Sequence, residues 1–381
     1  MRQILEVINL AINAQNFIGE QFSYLQEHGD YKMHLICSPG SNIEDFAKKQ
    51  KIQLNTIQIN RQITPWADFK AFLKICRYIK KNKIDIIIGH QAKGVLLAMA
   101  SGWIMRVPVR IIVGHGILTE TMGGVKKWLI DIESWFCYAI TSHVICVSNF
   151  VKNYGNSKYK YKNVLLGYGS CTGIETKKKF NPTIVKTETV QKLRDNMGLI
   201  GDEYVVGYCG RVVKDKGIVE LVEAIKLLRA KYLNKNIKLL IIGPEEIRDA
   251  IPESVSLFLK ESEYVHFTGF VPYSEIQSYY LLMDVCVLAS HREGLGLASL
   301  EAQAMEKPAI VTDYTGCAET IIDGETGYYT DGTPQSIAEQ LEKLMDKSKA
   351  VEMGKKGRQF VIDRFEAEYV HNNILNFLNS I

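Results

Sequence analysis

The chain has 381 residues, 46% of them hydrophobic and 23% charged, with a net charge of +4; this is the make-up of a globular protein with two domains, not of a disordered or collagen-like one. No apolar run is long enough to span a bilayer, since the best, Gly94 to Met105, is interrupted by Ser101 and Gly102 and flanked by Lys93 and Arg106. The eight cysteines form no C-x-x-C pair and the first residues lack a signal-peptide pattern, so reduced thiols in the cytoplasm are expected, without a disulfide framework or zinc site.

Short β-branched runs alternate with helical segments along the whole chain. The predicted strands of the first half are Ile4 to Leu10, Met33 to Cys37, Ile84 to Gly89, Val109 to Val113, His143 to Val147 and Val164 to Gly167. Segments of helical periodicity separate them, including Ile18 to Glu27, Phe69 to Lys80 and Lys126 to Ile140. After a polar stretch with no strand character, the pattern restarts with Tyr204 to Tyr208, Ile237 to Ile242, Val265 to Thr268, Val285 to Ser290 and Ala309 to Thr312. Such alternation gives parallel sheets covered by helices on both faces. The reading is therefore α/β, with a first domain at 1–175, a linker at 176–202 and a second domain at 203–366. Ligands are expected at the carboxyl ends of the strands.

The charge is unevenly spread. Residues 1–180 hold 24 Lys and Arg against 12 Asp and Glu, a net of +12, and the remainder is net −8. The lysines include Lys48, Lys49, Lys80, Lys81, Lys126, Lys127, Lys158, Lys160, Lys162 and Lys177 to Lys179. No nucleic-acid motif accompanies them, so nucleic acid is not an expected partner. An anionic membrane surface suits such a domain better, each surface lysine adding about 1 kcal/mol of attraction to acidic lipids. Any single cluster also reads as an ordinary solvated helix face.

Motifs for other nucleotide chemistries are missing. The first strand is followed by Ala11-Ile-Asn-Ala-Gln-Asn-Phe-Ile-Gly19 rather than G-x-G-x-x-G, and there is no Walker A sequence. What the chain does carry is His291-Arg-Glu-Gly-Leu-Gly-Leu-Ala-Ser-Leu-Glu-Ala302, a glycine loop between a strand and a helix. The backbone N–H groups of Gly294, Leu295, Gly296 and Leu297 and the dipole of the following helix suit an anionic group there. Glu293 and Glu301 flank it, and an ionised carboxylate can only accept hydrogen bonds, which suits sugar hydroxyls. Eight helical positions would part the two by roughly 12 Å, too far for an acid/base dyad acting on one bond. A second loop, Gly210-Arg-Val-Val-Lys-Asp-Lys-Gly217, puts Arg211 and Lys216 between a strand and a helix. Two cations so placed fit a diphosphate; they equally fit two surface cations, one paired with Asp215.

These motifs, with Gly269-Phe-Val-Pro272, Pro308-Ala-Ile-Val-Thr-Asp313, Gly316-Cys-Ala-Glu319 and Asp323-Gly-Glu-Thr-Gly327, resemble the retaining sugar-nucleotide glycosyltransferases of family 4, which have the GT-B fold. In the first half, Arg61-Gln-Ile-Thr-Pro65 with Asp68, His90-Gln-Ala-Lys-Gly94, Val107 to Gly116 and Gly167 to Ile174 are similar to the branch that assembles bacterial capsule, exopolysaccharide and O-antigen. The chain departs from the wider family in its first loop, where only Gly19 remains of a glycine-rich stretch.

The resemblance implies a GT-B architecture, two Rossmann-like doubly wound domains facing across a cleft, with a C-terminal helix at about 367–381 packed back on the first. It implies a retaining, metal-independent transferase with no resident cofactor. A nucleotide-sugar donor, UDP-linked, would be used on a lipid-linked saccharide acceptor presented at the cytoplasmic membrane face. Arg211 and Lys216 would bind the diphosphate, Glu301 the ribose, and Glu293 and His115 the transferred sugar, while Gly243 and Val271 border the base. His90 would have a lesser part and His291 would support the Glu293 loop; Lys93 and Arg61 are candidate contacts for an acceptor phosphate. Trp128 and Trp135 either help at the membrane interface or belong to the core. A sugar-nucleotide epimerase of the same fold and a non-catalytic binding module are the alternatives.

Overall fold

A computed structural model of the chain describes all residues except Arg61, Ile63, 118–123 and 159–162. Arg61, Lys160 and Lys162 therefore lie outside the described residues, as does the side chain of Lys126.

Two compact units are present: Met1–Gly173 together with Glu368–Ile381, and Ile174–Ala367. The sheet of the first unit contains β1 (Arg2–Val7), β2 (Tyr31–Cys37), β3 (Gln53–Thr56), β4 (Ile86–His90), β5 (Val109–Gly114), β6 (His143–Cys146) and β7 (Asn163–Leu165), in the order β3-β2-β1-β4-β5-β6-β7. The second sheet contains β8 (Tyr204–Cys209), β9 (Ile237–Ile242), β10 (Val265–Phe267), β11 (Val285–Leu288), β12 (Ala309–Thr312) and β13 (Gly327–Thr330), ordered β10-β9-β8-β11-β12-β13. Every pairing between these strands is parallel. Both sheets are thus doubly wound, the α/β class expected from the alternating pattern.

Near-continuous apolar runs build the central strands because both faces are covered. All six residues of β8 are buried, as are Leu239 to Ile242 of β9, and helix Ile218–Lys231 lays Ile218, Leu221, Val222, Ile225 and Leu228 against them. The linker segment is not bare chain: helix Thr187–Asn196 lies in it. Arg358 ties its start to the second unit by donating to the carbonyls of Thr176 and Phe180, at 3.1 and 2.9 Å.

Two expectations shift at the first strand. The strand stops at Val7, and the helix expected from Ile18 begins at Gln21 and runs to His28, with a further helix, Ala11–Phe17, ahead of it; Gly19, at a left-handed φ of +55° that no α-helix continues through, separates the two.

Candidate active site

The second sheet reverses direction between β8 and β11, and at such a switch point the loops leaving two adjacent strands part to either side and leave a crevice. The two loops here are the ones singled out in the sequence. They are stitched together: His291 N–H donates to the Asp215 carbonyl at 2.9 Å, the Arg292 guanidinium pairs with Asp215 at 2.7 Å, and Lys216 Nζ meets Glu293 Oε1 at 2.6 Å. Gly217 makes this closeness possible. Its φ is +70°, and a Cβ there would lie 2.0 Å from the carbonyl oxygen of Ala289.

Lys216 also donates to the Arg292 carbonyl at 3.2 Å. An ammonium has three hydrogens, so with these two partners one is left for an incoming oxygen. Ser290 Oγ lies 3.5 Å from the same Glu293 oxygen. The glycine loop then enters helix Leu297–Ala304 with Gly296, which has no side chain to cap the helix, as its N-cap. A cation, a carboxylate and a helix N-terminus thus meet at one sheet edge.

Arg211 does not join this cluster. Its guanidinium pairs with Glu246 at 3.0 Å, with nearly half of its side chain exposed, while its backbone carbonyl accepts from Tyr208 OH at 2.7 Å. Gly243, at φ +134°, has its N–H bonded to the Gly269 carbonyl at 2.9 Å and would put a Cβ 1.9 Å from the Gly210 carbonyl. The loops after β8, β9 and β10 therefore converge, with Val271 buried beside them.

Glu301 is only 7% exposed. Tyr280 OH donates to one of its oxygens at 2.7 Å and Tyr273 OH to the other at 3.1 Å. Burial raises its carboxyl above the ordinary value, and the Tyr280 hydrogen bond, Lys179 and the Tyr273 hydrogen bond oppose that rise. Burial likewise draws Lys179 down to about 8; its ammonium stands over the rings of Tyr273 and Phe180. Each Glu301 oxygen keeps a lone pair for a further donor such as a hydroxyl. Sequence reasoning missed Tyr273, Tyr280, Lys179, Asp215 and Glu246 as parts of the site. Tyr273 directly follows the Gly269-Phe-Val-Pro272 motif, which was its one available signal.

In the first unit, His115 follows β5 and is half-buried. Its Nε2 is 3.0 Å from His90 Nδ1, and its Nδ1 3.6 Å from Cys171 Sγ. His90 Nε2 is 3.0 Å from Glu6 Oε2. Burial, and then the neighbouring His90, push the His115 ring down to about 3. Lys93 is held by Asp68 at 2.8 Å and by the Gln62 carbonyl. His291 bridges Glu220 at 3.0 Å and Tyr314 OH at 3.2 Å.

The family Glycosyltransferase Family 4 matches residues 14–165 and Glycosyl transferases group 1 matches residues 189–360. Over 353 residues the chain is 32% identical to the capsular polysaccharide biosynthesis glycosyltransferase CapM of Staphylococcus aureus, covering 91% of this chain and 90% of that one. The chain belongs to glycosyltransferase family 4. This transferase is also 24% identical, over 82% of its length and 79% of the relative's, to the Escherichia coli UDP-Gal:alpha-D-GlcNAc-diphosphoundecaprenol alpha-1,3-galactosyltransferase. Among solved structures, HepE of Anabaena in complex with UDP and glucose superposes with a TM-score of 0.81 at 16% identity, covering 100% of both chains, which identifies the GT-B fold.

Proposed function

We propose that this glycosyltransferase moves a sugar from a UDP-linked donor to a hydroxyl of a polyprenyl-diphosphate saccharide, with retention of configuration, in bacterial surface polysaccharide synthesis. The observation that carries the donor half is the Lys216–Glu293 pair at the β8/β11 switch point, 2.6 Å long and beside an open helix N-terminus. Lys216 and the helix dipole offset the charge that grows on the leaving diphosphate as the C–O bond breaks. Arg211, itself nearly half exposed, supplies the second cation once released from Glu246. Glu293 accepts from hydroxyls of the transferred sugar and Glu301 from those of the ribose. The two relatives support the rest: one belongs to capsular polysaccharide biosynthesis, and the other is named for a UDP-sugar and a diphosphoundecaprenol-linked acceptor.

The acceptor half draws on the first unit's surface. All four tryptophans of the chain lie there and all are exposed: Trp66 81%, Trp103 52%, Trp128 62% and Trp135 64%. They sit on helices Pro65–Asn82, Gln91–Ile104 and Gly124–Ile140, and the core alternative for Trp128 and Trp135 is thereby set aside. Aromatic rings beside lysines suit the interface of an anionic bilayer, where a lipid-linked acceptor would be met.

Replacing Lys216 by Ala tests the donor site. Transfer from a UDP-sugar to a synthetic polyprenyl-diphosphate saccharide should fall about a hundredfold or more, with the far-UV spectrum unchanged. Undiminished transfer would remove Lys216 from the mechanism.

A further inference from the structure

We propose that Glu6 and His90 are positioning residues that hold His115 in a single tautomer, protonated at Nε2, so that its Nδ1 faces a ligand hydroxyl as an acceptor. The three residues stand on three neighbouring strands of the first sheet. Glu6 is on β1, His90 ends β4 and His115 follows β5, with Glu6 aligned to Ile88 and His90 to Val113. The strand order reverses between β1 and β4, so this trio lies at the first unit's own switch point, outside whose carboxyl ends ligands bind. Exposure increases along it: Glu6 is 1% exposed, His90 3%, and His115 is half-buried.

The hydrogens can be assigned in order. A carboxylate only accepts, so His90 Nε2–H donates to Glu6 Oε2 across 3.0 Å. A His90 ring that carries a single hydrogen, at Nε2, has a bare Nδ1, which takes the Nε2–H of His115 across 3.0 Å. His115 is left with a bare Nδ1, facing the Cys171 sulfur at 3.6 Å. Burial pushes that thiol up to about 12, so it remains S–H, with His115 Nδ1 at 3.6 Å and the Phe17 carbonyl at 4.0 Å as the acceptors within its reach. A thiol is a weak donor, and a sugar hydroxyl replaces it readily. The second shell thereby decides what the ligand-facing atom can do, as it does for ring nitrogens at metal sites. A further proton on His90 would turn its Nδ1 into a donor and reverse the whole series.

The choice of a sugar hydroxyl as ligand rests on the proposed transferase reading; the tautomer does not. The test is long-range proton–nitrogen correlation NMR on the full chain labelled at histidine nitrogens, at pH 7.5. The expected wild-type signal for His115 is the Nε2–H form. His90→Phe should give a mixture of tautomers, and His90→Gln, whose amide oxygen can accept the same hydrogen, should restore it. Transfer from a UDP-sugar should drop roughly 10- to 100-fold in kcat for His90→Phe and recover in part for His90→Gln. A wild-type His115 protonated at Nδ1, or a tautomer unmoved in His90→Phe, overturns the proposal. Should the variants not fold, the wild-type spectrum decides by itself. A wild-type enzyme that transfers nothing from any UDP-sugar while showing the Nε2–H signal would sink the proposed UDP donor and leave the relay standing.

Discussion

Two carboxylates only eight positions apart, Glu293 and Glu301, live in opposite environments. Glu293 is partly exposed and answers a cation; Glu301 is buried and answers two phenols. Under the function proposed above, such a split suits Glu293 to a group near the reacting carbon and Glu301 to a part that does not react. The histidines differ in a way that pH can read. Burial lowers His115 to about 3 and, with Lys32 adding to the effect, His34 to about 4. Both folded values lie below the unfolded 6.5, so the unfolded chain binds more protons in that window, and stability rises with pH through it and is lost as pH falls below about 6.5. Each group adds at most about 1.4 kcal/mol per pH unit. Urea midpoints measured from pH 7 to pH 5 should therefore decline, less steeply in His34→Gln; equal slopes for the two proteins would refute the assignment to His34.

Elements built from unbroken apolar runs are readable in the sequence, because strands covered on both faces need nothing polar. The two missed strands explain themselves. β3 reads Gln-Leu-Asn-Thr and β13 reads Gly-Tyr-Tyr-Thr; both are edge strands with polar or half-exposed residues, and a short polar run gives no period to detect. The donor loops were legible in their glycines and charges, but their pairing was not: Arg211 with Glu246 and Arg292 with Asp215 are contacts between distant segments. The Glu6–His90–His115 series spans more than a hundred residues and leaves no local trace. At this scale Gly217 carries a prediction. Gly217→Ala must take a left-handed φ and push the Ala289 carbonyl away, costing at least about 2 kcal/mol and opening the loop that holds Lys216. Denaturant unfolding would show it, and a change under about 0.5 kcal/mol, typical of a surface substitution, would contradict it.

Taken whole, the molecule carries a net +12 over residues 1–180 and all its exposed tryptophans in the first unit. Helix Pro65–Asn82 shows how charge and apolar area combine, with Trp66, Phe69 and Leu73 exposed and Lys70, Lys74, Arg77, Lys80 and Lys81 exposed around them. No helix among the described residues is long and apolar enough to cross a membrane. Sedimentation with vesicles should show binding to anionic but not zwitterionic lipid, weakening in high salt. Replacing Trp66, Phe69 and Leu73 together by Ser should weaken it on the order of tenfold or more. Equal binding to both lipids would argue against the basic surface.

The second unit is one unbroken stretch, whereas the first is closed by a segment that follows it, 368–381: the Arg2 guanidinium donates to the Ile381 carbonyl at 2.8 Å, and Tyr31 OH to Asn379 at 2.6 Å. During synthesis the order of completion is therefore inverted. The second unit can finish while the chain is still being extended, whereas the first must wait for residues 368–381. Its tryptophan-bearing surface is thus completed last, after the partner half has already become a folded body.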